Sequence, residues 1–352
     1  MGKLLEKKIT LGRDAEGKRI RKSVYARTKA ELERKVFEAR QDYYAISKTP
    51  AADITLIAYA RRWLSTTKGK LAINTRAMYE VVVERHLAPE LSDLYFHEIR
   101  QTDLQELINK HWDHPATCGK IRMTLKQIYD AAAEEDIQIP KGVNVGKLTM
   151  PPKRGSTRRA LTPEEERAIF DADLEDKERA FLFILYYCGL RREEAIALQS
   201  HQIDFKALLV RVDKSIVFDK NTATLSRTKT QAGVRDVPLP DAAVDFLKDY
   251  CADKTILFPM DRAADRYMSL SSFMRFWRGI QKKLSAVAPS AAELTPHYFR
   301  HNYATKLYYS NISPKMAAKI LGHANTDMIM KIYAHLDEAQ ERTSEKLNMI
   351  FK

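Results

Sequence analysis

One stretch decides how this chain is able to fold. Residues 138–160, QIPKGVNVGKLTMPPKRGSTRRA, hold three prolines, three glycines and many basic side chains, with neither helical nor strand periodicity. Such a run predicts an extended, positively charged interdomain linker.

Upstream of that linker the pattern from Thr55 to about Glu135 is helical, in TLIAYARRWL, TRAMYEVVVERHL, TDLQELINKHW and CGKIRMTLKQIYDAAAEE. Four helices with short connections predict a small all-α domain, with Trp63 and Trp112 as core anchors. KTPAAD at 48–53 reads as a second linker. Ahead of it, residues 1–30 carry ten Lys/Arg against three acids, a net charge of +7 within a chain total of +13. LLEKKITL and KRIRKSVY are β-type runs around the turn DAEGK, and Thr28-Lys29-Ala30-Glu31 has the form of a capping box opening a helix to about Ala45. A three-stranded sheet backed by a helix is expected, with Lys18, Arg19, Arg21 and Lys22 on a basic ribbon suited to a DNA groove.

Downstream, Thr162-Pro163-Glu164-Glu165 combines an N-cap, a proline at the first helical position and a glutamate at the third. Helices are expected over 162–171, 176–188 and AIALQ, strands over LLVRVDKSIVF and RDVPL, and helices again from about Ser271. The fold class is therefore multidomain. Residues 1–47 form a small sheet-plus-helix module, 54–137 the four-helix domain, 138–160 the basic linker, and 161–352 a mixed, mainly helical domain with a small β-sheet.

Charge and composition narrow the partner. An excess of this size, 59 basic against 46 acidic residues, is an electrostatic footprint for a polyanion. No run approaches the 18 apolar residues of a membrane span, MGKLLEKKITLGRD lacks a signal-peptide core, and Glu6 breaks the myristoylation pattern, so no membrane partner is expected. Cys118, Cys188 and Cys251 are far apart, which fits a reducing cytoplasm and gives no zinc framework. The chain has no GxxxxGK[ST], GxSxG or HExxH; His297 and His301 are four apart, with no third metal ligand evident.

What remains is basic residues in short structured motifs. Arg191 and Glu194 are three apart in GLRREEAIAL, so the carboxylate can lock a neighbouring guanidinium. Lys229 lies in TKTQAGVRDVPL, at a hairpin between apparent strands. His297 and Arg300 share a face of a helix in HYFRHNYAT that Thr295 caps and Pro296 opens. His323 follows a helix stop in LGHANTD, and Tyr333 sits in IYAH. Singly, each of these is an ordinary core or surface residue.

Together, in order and spacing, Arg191, Lys229, His297, Arg300, His323 and Tyr333 resemble the active-site set of the tyrosine recombinases, the phage integrase family. The motifs cover 162–336; the four-helix segment is similar to that family's core-binding domain, and the basic N-terminal segment, less specifically, to the arm-site-binding domains of phage and conjugative-transposon integrases. Asn302 stands where Thr or Ser is common, and Met330 where Thr is common. The resemblance implies attack by Tyr333 on a DNA phosphodiester, a 3′-phosphotyrosine and a free 5′-hydroxyl. Arg191 and Arg300 would bind the equatorial oxygens, His323 a non-bridging oxygen; Lys229 would protonate the leaving oxygen and His297 accept the tyrosine proton, with Glu194 supporting. Neither cofactor nor metal is implied. Lys153, Arg154, Arg158 and Arg159 of the linker are expected to meet phosphates. The implied partners are double-stranded DNA at core and arm sites, three further copies in a homo-tetramer, and accessory DNA-bending or directionality proteins. A dimer-resolving recombinase, a type IB-like topoisomerase and an inactive architectural DNA-binding protein are the alternatives. The last residues, EAQERTSEKLNMIF, read as an amphipathic helix anchored by Leu347, Ile350 and Phe351, packed on its own domain or docked on a neighbouring protomer.

Overall fold

The capping and periodicity described above map onto a computed structural model that describes residues 5–13, 19–46, 54–68, 71–135, 137, 139–152, 159–227, 231–323 and 325–340. The chain divides into two compact units, Met1–Gly155 and Ser156–Lys352. The C-terminal amphipathic segment lies outside the described residues.

In the first unit, strands β1 (Leu5–Arg13) and β2 (Arg19–Ala26) pair antiparallel, with a register shift between Thr10 and Gly12. The sheet has two strands among the described residues, not the three expected. The sequence supplies only two β-type runs, and Thr28 turns the chain directly into helix α1 (Lys29–Ile46), accepting the Glu31 N–H while Glu31 accepts that of Arg27. Ile9, Val24 and Ala26 from the sheet bury against Leu32, Val36 and Ala39 of α1, leaving Arg21 and Lys22 exposed.

The helical part follows with α2 (Leu56–Thr66), whose Thr55 side chain caps Ala58, and α3 (Ile73–Val81). Helix α3 runs on through a wide π-helical turn, Val82–Leu87, into α4 (Ala88–Leu91). Pro89 accounts for that turn: it has no N–H for the Arg85 carbonyl, and its ring pushes that carbonyl aside. Helices α5 (Gln101–Lys110) and α6 (Pro115–Glu134) complete the set. Trp63 is a core anchor at 3% exposure, but Trp112 is 39% exposed, because α5 has already ended when the chain reaches it.

The proline- and glycine-rich stretch departs from expectation. Its first half is not a free linker: Val145 and Leu148 are buried in the helical core, with Ile139, Val143 and Met150 packed on it. The Gln101 amide makes a two-way pair with the Asn144 backbone, and the Gln105 amide does the same with Thr149. These side chains supply the backbone partners that the aperiodic strap cannot find in a helix or sheet.

The second unit opens with α7 (Pro163–Asp171) and α8 (Asp176–Cys188), the first capped reciprocally by Thr162 and Glu165 as the sequence predicts. A short helix α9 (Arg192–Ile196) leads to β3 (Ile203–Asp204) and β4 (Leu209–Val212). The run LLVRVDKSIVF does not form one strand. It breaks at Asp213, held by the Gln202 amide, and its second half becomes β5 (Lys214–Asp219), which pairs with β6 (Thr222–Arg227). Strand β7 (Arg235–Pro238) joins β4 to give the three-stranded antiparallel order β3-β4-β7. Helix α10 (Val244–Cys251), the pair β8 (Pro259–Met260) and β9 (Ala263–Tyr267), and the helices α11 (Leu270–Val287), α12 (Pro296–Tyr309), α13 (Pro314–Leu321) and α14 (Asp327–Gln340) follow. Helix α8 is the hub: Phe181, Leu182, Ile184 and Leu185 are fully buried among Phe258, Phe273, Trp277 and Phe299. A smaller core of Ala304, Ala317, Ala318, Leu321, Ile329 and Tyr333 ties α12, α13 and α14 together.

Candidate active site

Helix α8 ends at Gly189, whose left-handed backbone (φ +61°) turns the chain sharply into Arg191, the N-cap of α9. The glycine is required twice over, since a Cβ there would also lie 2.4 Å from the Tyr303 ring. Three residues on, as the spacing predicts, Glu194 takes the Arg191 guanidinium at 2.7 Å (Nη1 to Oε1) and the Arg191 backbone N–H at 2.9 Å. The other end of the Arg191 fork, Nη2, donates to the Gly322 carbonyl at 3.1 Å.

Arg300, on the buried side of α12 with 7% exposure, reaches the same place from the opposite direction. Its Nη1 donates to the Gly189 carbonyl at 2.9 Å; its Nη2 donates to the Leu321 carbonyl and lies 2.9 Å from His323 Nε2. Residues 321–323, where α13 stops on the left-handed Gly322 (φ +66°), are thus held by both arginines. Since Arg300 only donates, His323 Nε2 accepts, and the ring proton resides on Nδ1. That Nδ1 is buried and has no hydrogen-bond partner among the described residues.

The electrostatics follow from this crowding. Burial works against the charge of Glu194, but the hydrogen bonds and charge of Arg235, then the charges of Arg191 and Arg300, outweigh it and bring the carboxyl down to about 2. Burial, then the Arg191 charge, pulls Arg300 down to about 9, so it remains a cation at neutral pH. Burial, followed by the charges of Arg300, Arg191 and Arg235, lowers His323 to about 4, leaving a neutral imidazole. The site holds two guanidiniums and one neutral N–H donor, groups whose chemistry suits the oxygens of a phosphate.

Not every expected residue joins it. The Tyr333 hydroxyl, on α14, donates to the Ile312 carbonyl at 3.0 Å, and its ring packs edge-on against Tyr308 at 5.0 Å. It is 6% exposed, and burial raises its pKa. His297 lies on the first turn of α12 and is exposed, three residues before the buried Arg300 on the same helix; Thr295 caps that helix with its backbone geometry and makes no side-chain cap bond. Lys229, Lys18, Lys153, Arg154 and Arg158 lie outside the described residues, as does the Arg19 side chain. Arg159 gives both Nη groups to Glu165, at 2.6 and 2.7 Å, so it clamps the start of the second unit instead of standing free for a phosphate. Asn302, the departure from the family pattern, accepts the Leu161 N–H and donates to Glu166, bracing α12 against α7.

Sequence reasoning missed Arg235, which bonds Glu194 from the sheet side at 2.8 and 3.1 Å. The signal was present: in RDVPL the inward alternation that buries Val237 also buries residue 235, and an arginine on the inner face of a strand requires a carboxylate.

Comparisons with known proteins establish the family. Residues 159–340, more than half of the chain, match the family model described as phage integrase family, and residues 55–111 match its N-terminal SAM-like domain. A tyrosine recombinase XerC-like protein of Caldanaerobacter subterraneus subsp. tengcongensis is 24% identical over 97% of this chain and 95% of its own length. The transposase from transposon Tn916 of Enterococcus faecalis is 28% identical over 50% of this chain and 47% of its own. Among solved structures, the Tn1549 transposon integrase in complex with a circular intermediate DNA superposes with a TM-score of 0.70 at 19% identity, over 83% of this chain and 99% of that one. A lambda integrase tetramer bound to a Holliday junction gives 0.59 at 18% identity, over 90% and 93%. The chain belongs to the phage integrase family: it is a tyrosine recombinase, a site-specific enzyme that cleaves and rejoins DNA through a covalent phosphotyrosine.

Proposed function

We propose that this recombinase integrates and excises a mobile element, with Arg191, Arg300 and His323 gripping the scissile phosphate and Tyr333 attacking it. The observation that supports the residue assignment is the convergence of both guanidiniums on residues 321–323, Arg300 against the His323 ring, with the His323 Nδ1 proton unused among the described residues. The Tyr333 oxygen bonds to phosphorus as the bond to the 5′ oxygen breaks. Its proton passes to His297, and Lys229 protonates the departing 5′ oxygen. The tyrosine is a weak nucleophile while its hydroxyl is buried on Ile312, so cleavage requires that hydrogen bond to open and the phenol to reach the gripped phosphorus. A 5′-hydroxyl from a partner strand then attacks the phosphotyrosine. Bond energy stays in the covalent link, so no nucleotide is consumed.

The exposed Arg21 and Lys22 of β2 support arm-site binding by the first module, beside core-site binding by the helical part. The Tn1549 integrase in complex with DNA supports DNA as the partner, and the lambda integrase tetramer on a Holliday junction supports a tetramer as the working assembly; accessory bending or directionality proteins are part of the same reading. No described helix is long and apolar enough to cross a membrane, and the reading places the enzyme in the cytoplasm of a bacterial host. Trapping on a nicked suicide duplex tests the assignment. The wild-type chain is expected to form a covalent adduct and join two different duplexes, and Tyr333→Phe to form none. An adduct with the Phe variant would assign the nucleophile elsewhere; relaxation without joining would favour a topoisomerase.

A further inference from the structure

Arg235 takes no place among the six active-site residues, yet the site is built around it. It opens β7 with its side chain turned inward and 5% exposed. All its nitrogens are committed. Nη2 and Nη1 hold the two Glu194 oxygens at 2.8 and 3.1 Å, Nη1 also meets the Gly233 carbonyl at 3.2 Å, and Nε donates to the Ile320 carbonyl at 2.6 Å. Arg191 rests on two supports: the Glu194 carboxylate and the Gly322 carbonyl. Arg235 fixes the first directly. It fixes the second by anchoring the last turn of α13 at Ile320, two residues before Gly322 and three before His323. The fit is close, since a Cβ on Gly322 would lie 2.8 Å from Arg235 Nη1.

We infer that Arg235 is a positioning residue for phosphate binding: a single buried guanidinium that sets the orientation of Arg191 and the placement of His323 without touching DNA. This rests on the reading of Arg191 and His323 as phosphate ligands. A fork is needed and a point charge will not serve, because the Glu194 carboxylate and the Ile320 carbonyl lie on different edges of the guanidinium. A lysine keeps the charge but cannot span both.

The test compares Arg235→Lys with wild type on two nicked suicide duplexes. One carries the ordinary scissile phosphate; the other carries a methylphosphonate there, with a methyl group replacing one non-bridging oxygen. The neutral phosphonate builds up less negative charge during attack and depends less on well-aimed cations. Arg235→Lys, at enzyme concentrations that saturate the duplex, should cleave the ordinary phosphate about a hundredfold more slowly in a single turnover, the scale of a small misplacement at a reacting centre. On the methylphosphonate that deficit should shrink at least about tenfold. Equal deficits on both duplexes, or none on either, overturn the inference. Arg191→Ala serves as the reference. If the methylphosphonate does not relieve it either, the phosphate-ligand reading fails and the inference with it; if it relieves Arg191→Ala but not Arg235→Lys, the inference alone fails. Should Arg235→Lys not fold, Gly322→Ala displaces the same guanidinium with its charge kept, and the same selective loss is expected, an equal loss again being decisive against it.

Discussion

Glu194 is the residue whose replacement reads the site most directly. It is 3% exposed, it faces Arg191 and Arg235, and it feels the charge of Arg300. Glu194→Gln keeps the shape and removes the charge. Two routes give the cost. A carboxyl brought from 4.5 to about 2 contributes about 3 kcal/mol of folding stability at neutral pH. Breaking a buried ion pair on one side, which leaves Arg235 uncompensated, costs about 3–5 kcal/mol. For a unit of this size, about 3 kcal/mol corresponds to a fall in Tm of roughly 6–12 °C. Scanning calorimetry of the full chain at pH 7 should show the transition of the second unit falling by that amount, the first unit unmoved. The sign with pH is fixed as well. The folded carboxyl is the stronger acid, so its contribution is complete above pH 4.5 and is lost as pH falls from there through about 2. The wild type should therefore approach the variant's Tm in that window. A variant within about 2 °C of wild type at pH 7 would show that the arginines do not need the carboxylate.

His323, lowered to about 4 by burial and the neighbouring arginines, stays neutral where an unfolded imidazole takes a proton near 6.5. Its effect on stability is thus absent above pH 6.5 and unfavourable as pH falls towards 4, and His323→Asn should flatten the loss measured by urea denaturation across that range. Arg191→Ala should slow single-turnover cleavage by about a hundredfold to a thousandfold, the value of one preorganised donor to a developing oxyanion; a loss below about threefold would remove Arg191 from the chemistry. Since guanidiniums and an imidazole carry the phosphate's charge in this reading, covalent capture should persist in EDTA, and strict dependence on a divalent ion would contradict it.

The sequence made the chemistry more legible than the architecture. GLRREEAIAL announced both the N-cap of α9 and the carboxylate behind Arg191, because a three-residue spacing on a helix leaves little choice of partner. Thr162 and Glu165 announced α7 for the same reason. Long-range features were not readable. Nothing local to Ile137, Val145 or Leu148 says that a neighbouring helix will cover them, nor that Gln101 and Gln105 will complete the strap's hydrogen bonds. The break at Asp213 depends on an amide eleven residues away. Tyr333 was legible as a residue but not in its present company, since its hydrogen bond to Ile312 joins segments that only the packing of α12, α13 and α14 brings together.

The strapping of residues 137–150 onto the helices shortens the tether that joins the two units. Only 152–160 lie between Pro151, buried at the end of the strap, and Leu161, a span of about 30 Å at full stretch. If both units meet DNA as proposed, so short a connection makes the second binding event intramolecular once the first has occurred, and two modest affinities multiply. Replacing Gln101 and Gln105 together would remove the bonds that hold the strap, lengthen that connection and dilute the gain.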